Sequence, residues 1–168
     1  MNILVSNRQK VSRPNLPRIR RLMFFFMDQA RRRNARRAWD DLSLVLTDDD
    51  GITRINRLYL DRTDVTDVIS FSWPPGPDRV GSGGEVFVNV QRAIEEGRKR
   101  WSVQRELALY MAHGCDHVSG ESDRLKKGRL RMRRRELRWL KKAAEQHLLN
   151  GLLNPRCNRA RGGCDSRI

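Results

Sequence analysis

Apolar residues recur along this chain with two different periods, and the switches between them predict its elements. Asn2 to Val5 is a short apolar run that fits an edge strand. After Pro14 and Pro17, the residues Ile19, Leu22, Met23, Phe26 and Ala30 return at helical spacing, and their stripe reads as core. Leu42 to Thr47 alternates as a strand, and Asp48-Asp49-Asp50-Gly51 reads as a turn. The downstream Glu of a calcium loop is missing, so these aspartates read as turn formers. Asp50 is the expected N-cap of a short helix marked by Ile52, Ile55, Leu58 and Tyr59. Val65 to Trp73, rich in β-branched and aromatic residues, predicts a second strong strand. Pro74 to Gly84 is dense in turn residues and predicts an irregular, mobile loop. Glu85 to Val90 follows as a third strand, then a helix from Gln91 to Arg100 with Ala93, Ile94 and Gly97 inward.

Val103, Leu107, Tyr110 and Met111 mark the apolar face of the next helix. A last amphipathic helix carries Leu130, Leu137, Leu140 and Ala144 as its expected stripe. From Asn154 onward no periodicity remains, so residues 154–168 read as a basic, flexible tail on a domain spanning 1–153. The expected fold is α+β: one domain with a small mixed sheet of about four strands and about five helices. No internal repeat is visible.

Charge changes the picture. The 168 residues include 35 Lys and Arg against 20 Asp and Glu, a net charge of +15. Such an excess attracts polyanions, of which nucleic acid is the commonest. Between Arg124 and Lys142, eleven of nineteen residues are basic and Glu136 is the only acid. No apolar run reaches the roughly 18 residues that span a bilayer, and the N-terminus lacks the form of a secretory signal. Three cysteines, an odd number, fit a reducing cytoplasm better than a disulfide framework. Cys157 and Cys164 lack nearby partner ligands for a second metal site.

The chemistry concentrates between His113 and Asp123. His113 and His117 are four apart, which places both rings on one helical face. Gly120 can end that helix in a left-handed turn, and Asp123 can return a carboxylate towards the rings. Two nitrogens and an oxygen form a three-ligand zinc site with the fourth position left for water, the catalytic pattern. A zinc peptidase of the His-Glu-x-x-His type uses its Glu as general base, and here that position is Gly114. A basic chain with a metal centre points instead to a phosphodiester substrate.

The same residues resemble the YbeY family of bacterial metal-dependent endoribonucleases, which act in ribosomal RNA maturation. The family pattern His-Gly-x-x-His-x-x-Gly-x-x-His is similar to His113–Asp123. Ile55-Asn56-Arg57-Leu58-Tyr59 and Asp64 to Phe71 resemble a second signature block. Gly84-Glu85-Val86 resembles a third, and Met132 with Glu136 a fourth. The resemblance implies a zinc-dependent, single-strand-specific endoribonuclease holding one zinc ion, cytoplasmic, with RNA, 16S rRNA and the ribosome as partners in maturation and quality control.

Three positions depart from the family. Asp123 stands for the usual third His, and a carboxylate can still bind zinc. Leu60 stands for the usual Arg, with Arg57 and Arg62 as nearby replacements. Asp116 stands for an apolar residue and is expected to face solvent rather than orient a ligand ring. Glu85, Glu121 and Asp116 remain open as general bases. The alternative class is an RNA-binding ribosome-assembly factor that does not cut, supported by Leu60. A metalloprotease would need a base that Gly114 does not supply.

Overall fold

The strong alternating runs assemble into one mixed sheet, and the helical runs pack on its two faces. The computed structural model describes residues 1–33, 39–76 and 81–154. In chain order the elements are β1 (Asn2–Asn7), β2 (Arg13–Pro14), α1 (Leu16–Arg33), β3 (Trp39–Thr47), α2 (Asp49–Leu60) and β4 (Val68–Trp73). They continue with β5 (Ser82–Asn89), α3 (Val90–Arg100), α4 (Val103–Val118), α5 (Lys126–Glu145) and β6 (Leu153–Asn154). The four-stranded sheet has the order β1-β3-β5-β4. β1 and β3 are parallel, as are β3 and β5, whereas β4 runs antiparallel to β5. Among the described residues this is the α+β architecture with four main strands and five helices, and β1 lies at the edge.

Side chains alternate across the sheet and so divide the core. Leu42, Leu44, Leu46, Val86 and Val88 meet α1 and α4 on one face. Ile52 of α2 meets Ile69 and Phe87, with Val45 and Phe71 beside them, on the other. Two glycines set the distance between α4 and the sheet. A Cβ on Gly114 would lie 2.4 Å from Val86 Cγ1, and one on Gly84 would lie 2.5 Å from Val118 Cγ1. Neither position tolerates a side chain at this separation. Helix α4 is therefore sunk into the molecule, with α1, α3 and α5 around its outer sides.

Several boundaries differ from the sequence expectation. Strand β5 begins at Ser82, because Gly83 and Gly84 pair with β4 and β3 instead of forming a loop. Of the expected mobile loop, residues 77–80 lie outside the described residues. The N-cap of α2 is Asp48, whose side chain accepts a hydrogen bond from Gly51 N at 3.1 Å, so Asp50 sits inside the first turn. Strand β4 starts at Val68 because Asp67 turns inward, its Oδ1 accepting from Val68 N and Thr66 Oγ1. Asn154, assigned to the tail, pairs with Arg13 in a short antiparallel bridge. Residues 155–168, the rest of that tail with Cys157 and Cys164, lie outside the described residues.

The buried stripe of α5 is also rotated from the expected one. Met132, Arg135, Glu136, Trp139, Leu140 and Ala143 face inward, while Leu130 is half exposed and Ala144 is exposed. Two charged residues take positions that an apolar pattern assigns elsewhere, because each has an ionic partner on α4.

Candidate metal centre

From Glu106 to Ser119 every residue is buried except His113 and His117. Beyond its first turn the helix thus opens towards solvent only at its two imidazoles, whose side chains are 25% and 24% exposed. A Schellman motif ends α4: Glu121 N donates to Asp116 O at 3.2 Å and Gly120 N to His117 O at 2.8 Å. Gly120 has φ 98, as the reversal requires. This turn returns the chain over the rings and delivers Asp123.

The three residues singled out in the sequence converge. One ligand atom each of His113, His117 and Asp123 lies within 4.8 Å of the others. The two Nε2 atoms are 3.0 Å apart, and Asp123 Oδ2 lies 3.8 Å from His117 Nε2. Both Nδ1 atoms are engaged: His113 donates to Glu136 Oε1 at 2.6 Å and His117 to the Glu121 carbonyl at 3.1 Å. With the Nδ1 positions protonated, two Nε2 lone pairs face one another, an arrangement that a shared cation between them relieves. Nitrogens bound to one zinc at about 2.0–2.1 Å lie roughly 3.4 Å apart in tetrahedral geometry, close to this spacing. The donor set fits a divalent metal. Burial by itself would lower the proton affinity of His113, but the hydrogen bond and charge of Glu136, with Asp67 and Asp123, raise it above the ordinary imidazole value.

Glu136 was visible in the sequence as the only acid between Arg124 and Lys142, but nothing there tied it to His113. Asp67 was likewise hidden inside a strand. The structure places its carboxylate beside His113 on the wall of the same cavity.

Asp116 is a correction. It is fully buried, not solvent-facing, and Arg135 grips it with Nε at 2.9 and 3.0 Å and Nη2 at 2.6 Å. Arg135 Nη2 also reaches Glu121 Oε2 at 3.0 Å, and Arg33 Nη1 meets Glu121 Oε1 at 2.6 Å. Burial works to raise the Glu121 carboxyl, but the hydrogen bonds and charges of the two arginines bring it below its ordinary value. Both carboxylates are committed to guanidinium groups, and although burial raises the Asp116 carboxyl, Asp116 is enclosed and faces Arg135. Glu85 pairs across from Phe71 on the sheet face away from α4, because Gly84 and Val86 occupy the near face. None of the three general-base candidates is placed to act.

Two cavities meet at the His113–His117–Asp123 cluster, and Asp123 lines both. One, of about 520 Å³, runs beside His113 between α3, α4 and α5 and carries Arg92, Arg100, Arg129 and Arg133. The other, of about 420 Å³, lies beside His117 and is walled by Leu60, Arg62, Thr66 and Ser70. Of the two replacements for the missing Arg, Arg62 lines this wall, held by Asp64 at 3.0 Å through two nitrogens. Nine of the eleven basic residues between Arg124 and Lys142 are exposed, so that segment is a cationic face. Among the described residues no helix is long and apolar enough to cross a membrane.

Comparison with known proteins agrees with the geometry. The family model described as endoribonuclease YbeY matches residues 4–144. Curated relatives named Endoribonuclease YbeY include one from Salinibacter ruber, 40% identical over 59% of this chain and 68% of its own length. Another, from Fusobacterium nucleatum, is 35% identical over 56% of this chain and 62% of its own length. A third, from Macrococcus caseolyticus, is 28% identical over 69% of this chain and 77% of its own length. The solution structure of TM1509 from Thermotoga maritima superposes with a TM-score of 0.59 at 17% identity, covering 99% of this chain and all of that one, and so shares the fold. With the family model covering most of its length and the two histidines of the family motif meeting Asp123 in one cluster, the chain belongs to the endoribonuclease YbeY family.

Proposed function

We propose that this protein is a metal-dependent endoribonuclease that cuts single-stranded RNA in ribosomal RNA maturation and ribosome quality control. Its ligands would be His113 Nε2, His117 Nε2 and the Asp123 carboxylate, with one zinc ion as cofactor. The 16S rRNA of the ribosome is the proposed substrate and the cytoplasm its place of action. The carrying observation is that α4 from Glu106 onward is buried except at two imidazoles, which turn their free nitrogens towards each other.

Bound there, zinc would supply Lewis acidity and a more acidic water. The chain itself supplies orientation and charge. Glu136 and the Glu121 carbonyl fix the tautomer of each ring, which keeps Nε2 available. Arg129 and Arg133 on one side and Arg62 on the other sit where a strand crossing the site would bring its phosphates. They neutralise the backbone on approach and stabilise charge that grows on phosphorus. Gly114 faces Val86, so that position holds no base and no room for one, which leaves peptide hydrolysis unsupported.

Elemental analysis of the purified protein, with cleavage of single-stranded RNA by the wild type and the His113→Ala/His117→Ala variant, tests this reading. Stoichiometric metal and metal-dependent cleavage, both lost in the variant, are expected. Absence of stoichiometric metal overturns it. Salt-sensitive RNA binding that persists in the variant, with no cleavage by the wild type, would instead identify the assembly-factor role that Leu60 in the cavity wall favours.

A further inference from the structure

Helix α5 carries cations on two sides, and only one of them faces the metal centre. Arg129 and Arg133 line the cavity beside His113. Lys127, Arg131, Arg134, Arg138 and Lys141 recur at intervals of three and four, which sets them within about 80° of arc along another side of the helix. All five are exposed, whereas Met132, Glu136, Trp139 and Ala143, opposite them, are buried. At about 1.5 Å per residue the row extends roughly 21 Å.

Elsewhere on the surface cations find acids nearby: Arg32 pairs with Asp28, Arg62 with Asp64 and Lys99 with Glu96. Among the described residues, none of the five side chains in this row takes part in an ion pair or hydrogen bond. Glu145, the last residue of α5, is the one acid in line with them. Like charges three and four apart on a helix repel and destabilise it. The start of α5 adds to the repulsion. Lys126 and Lys127 stand in its first turn, where the helix dipole disfavours cations, and Leu125 supplies no side-chain cap. Asp48, Asn89 and Ser102 do supply one to α2, α3 and α4. The row therefore works against the helix that carries it, and a polyanion laid along it reverses that effect.

The side chains around the row decide which polyanion it suits. Single strands are held on aromatic side chains where bases stack, but the one aromatic residue of α5, Trp139, is buried on the opposite side. A membrane surface calls for apolar residues that insert beside the cations. The row has none, and the half-exposed Leu130 lines the cavity instead. A straight, rigid line of cations suits a regular phosphate backbone recognised by shape, as in an RNA double helix. Resting on RNA as the substrate proposed above, we infer that the outer side of α5 docks an RNA double helix adjoining the single strand that enters the metal centre.

The test is fluorescence-anisotropy binding to the full chain at several salt concentrations, with chelator present to prevent cleavage. The probes are a blunt RNA duplex of about 16 base pairs and the single-stranded hexamer UUUUUU. Arg131→Gln/Arg134→Gln/Arg138→Gln keeps good helix formers at exposed positions. It is expected to weaken duplex binding about tenfold or more and to reduce the salt slope by about 2 to 3, while hexamer affinity changes less than about threefold. Arg8→Gln/Arg54→Gln/Arg98→Gln removes the same charge from other exposed positions and is expected to keep duplex affinity within about threefold of wild type. Equal loss in the two triple variants marks bulk charge and overturns the inference. So does equal loss for duplex and hexamer, or a row variant that binds the duplex as the wild type does. Tighter wild-type binding to phosphatidylserine vesicles than to the duplex would make the row a membrane face and overturn it too. The row variant should melt at or above the wild-type Tm, and a lower Tm refutes the argument that the row opposes the fold. If the wild type cuts no RNA, the proposed function fails, while the contrast between duplex and hexamer still decides this face.

Discussion

Replacing Glu136 with Gln preserves the shape of the residue behind His113 and removes its charge. The carboxylate is 4% exposed, and its Oε1 lies 2.6 Å from His113 Nδ1. A hydrogen bond to a charged group contributes about 1.5–3 kcal/mol net, and each 1.4 kcal/mol is about tenfold in affinity. The glutamine oxygen still accepts, so the expected loss in metal affinity is about 10- to 100-fold, the usual range for such supporting partners. Competition against a chromophoric chelator reads it. Acidity supplies a second check. Glu136 favours a proton on His113 as well as a metal, which is why this imidazole stands above its ordinary value. As pH falls through the His113 titration, the wild type loses metal to protons earlier than the variant, so the gap between them narrows. A dissociation constant within about threefold of wild type at neutral pH, or a gap that widens in acid, would refute the argument.

Other substitutions probe the supports around the site. Asp116→Asn removes the buried counter-charge of Arg135 and leaves it only the partly exposed Glu121, and is expected to cost about 3 kcal/mol, the low end for a broken buried pair, or roughly 6–12 °C in Tm for a chain of this size. The double variant Asp116→Leu/Arg135→Met should recover much of that in the same thermal melt. Glu121 has a lowered pKa in the fold, so its contribution is complete above its ordinary value of 4.5 and is lost as pH falls below it. The Tm gap between wild type and Glu121→Gln should therefore be present at neutral pH and close in acid. Arg62→Ala removes the cation from the cavity wall at His117. It should weaken RNA binding across sequences and reduce the salt slope by about one, read from binding isotherms at several salt concentrations.

The clustering of His113, His117 and Asp123 was legible because its logic is local. His113, His117, Gly120 and Asp123 lie within a single helix end and its turn, where spacing alone decides which atoms can meet. Strands with strong alternation were legible for the same reason. What escaped depends on partners distant in the chain. Asp116 looks solvent-facing on its own helix, and only Arg135, nineteen residues away, makes its burial tolerable. The stripe of α5 was misplaced because an apolar rule cannot assign Arg135 and Glu136 inward. Gly83 and Gly84 read as loop residues, yet both are strand residues, and the missing side chain of Gly84 admits α4. The bridge between Arg13 and Asn154 joins the two ends of the described chain and leaves no local pattern at all.

The two inward charges of α5 also account for how the site is held. Along α4, His113 and Asp116 are three apart and share a face; along α5, Arg135 and Glu136 are adjacent. Glu136 meets His113 and Arg135 meets Asp116. Exchange of those partners by a small slip or rotation of α5 would bring Glu136 to Asp116 and Arg135 to His113, setting like charges together in a low-dielectric interior. Apolar residues at those positions would pack in several registers, whereas this pairing accepts one. The same α5 register that pairs Glu136 with His113 sets Arg129 and Arg133 along the cavity beside it. An otherwise basic helix therefore carries its one buried acid where it orients the His113 ring, and the surrounding cations follow from that placement.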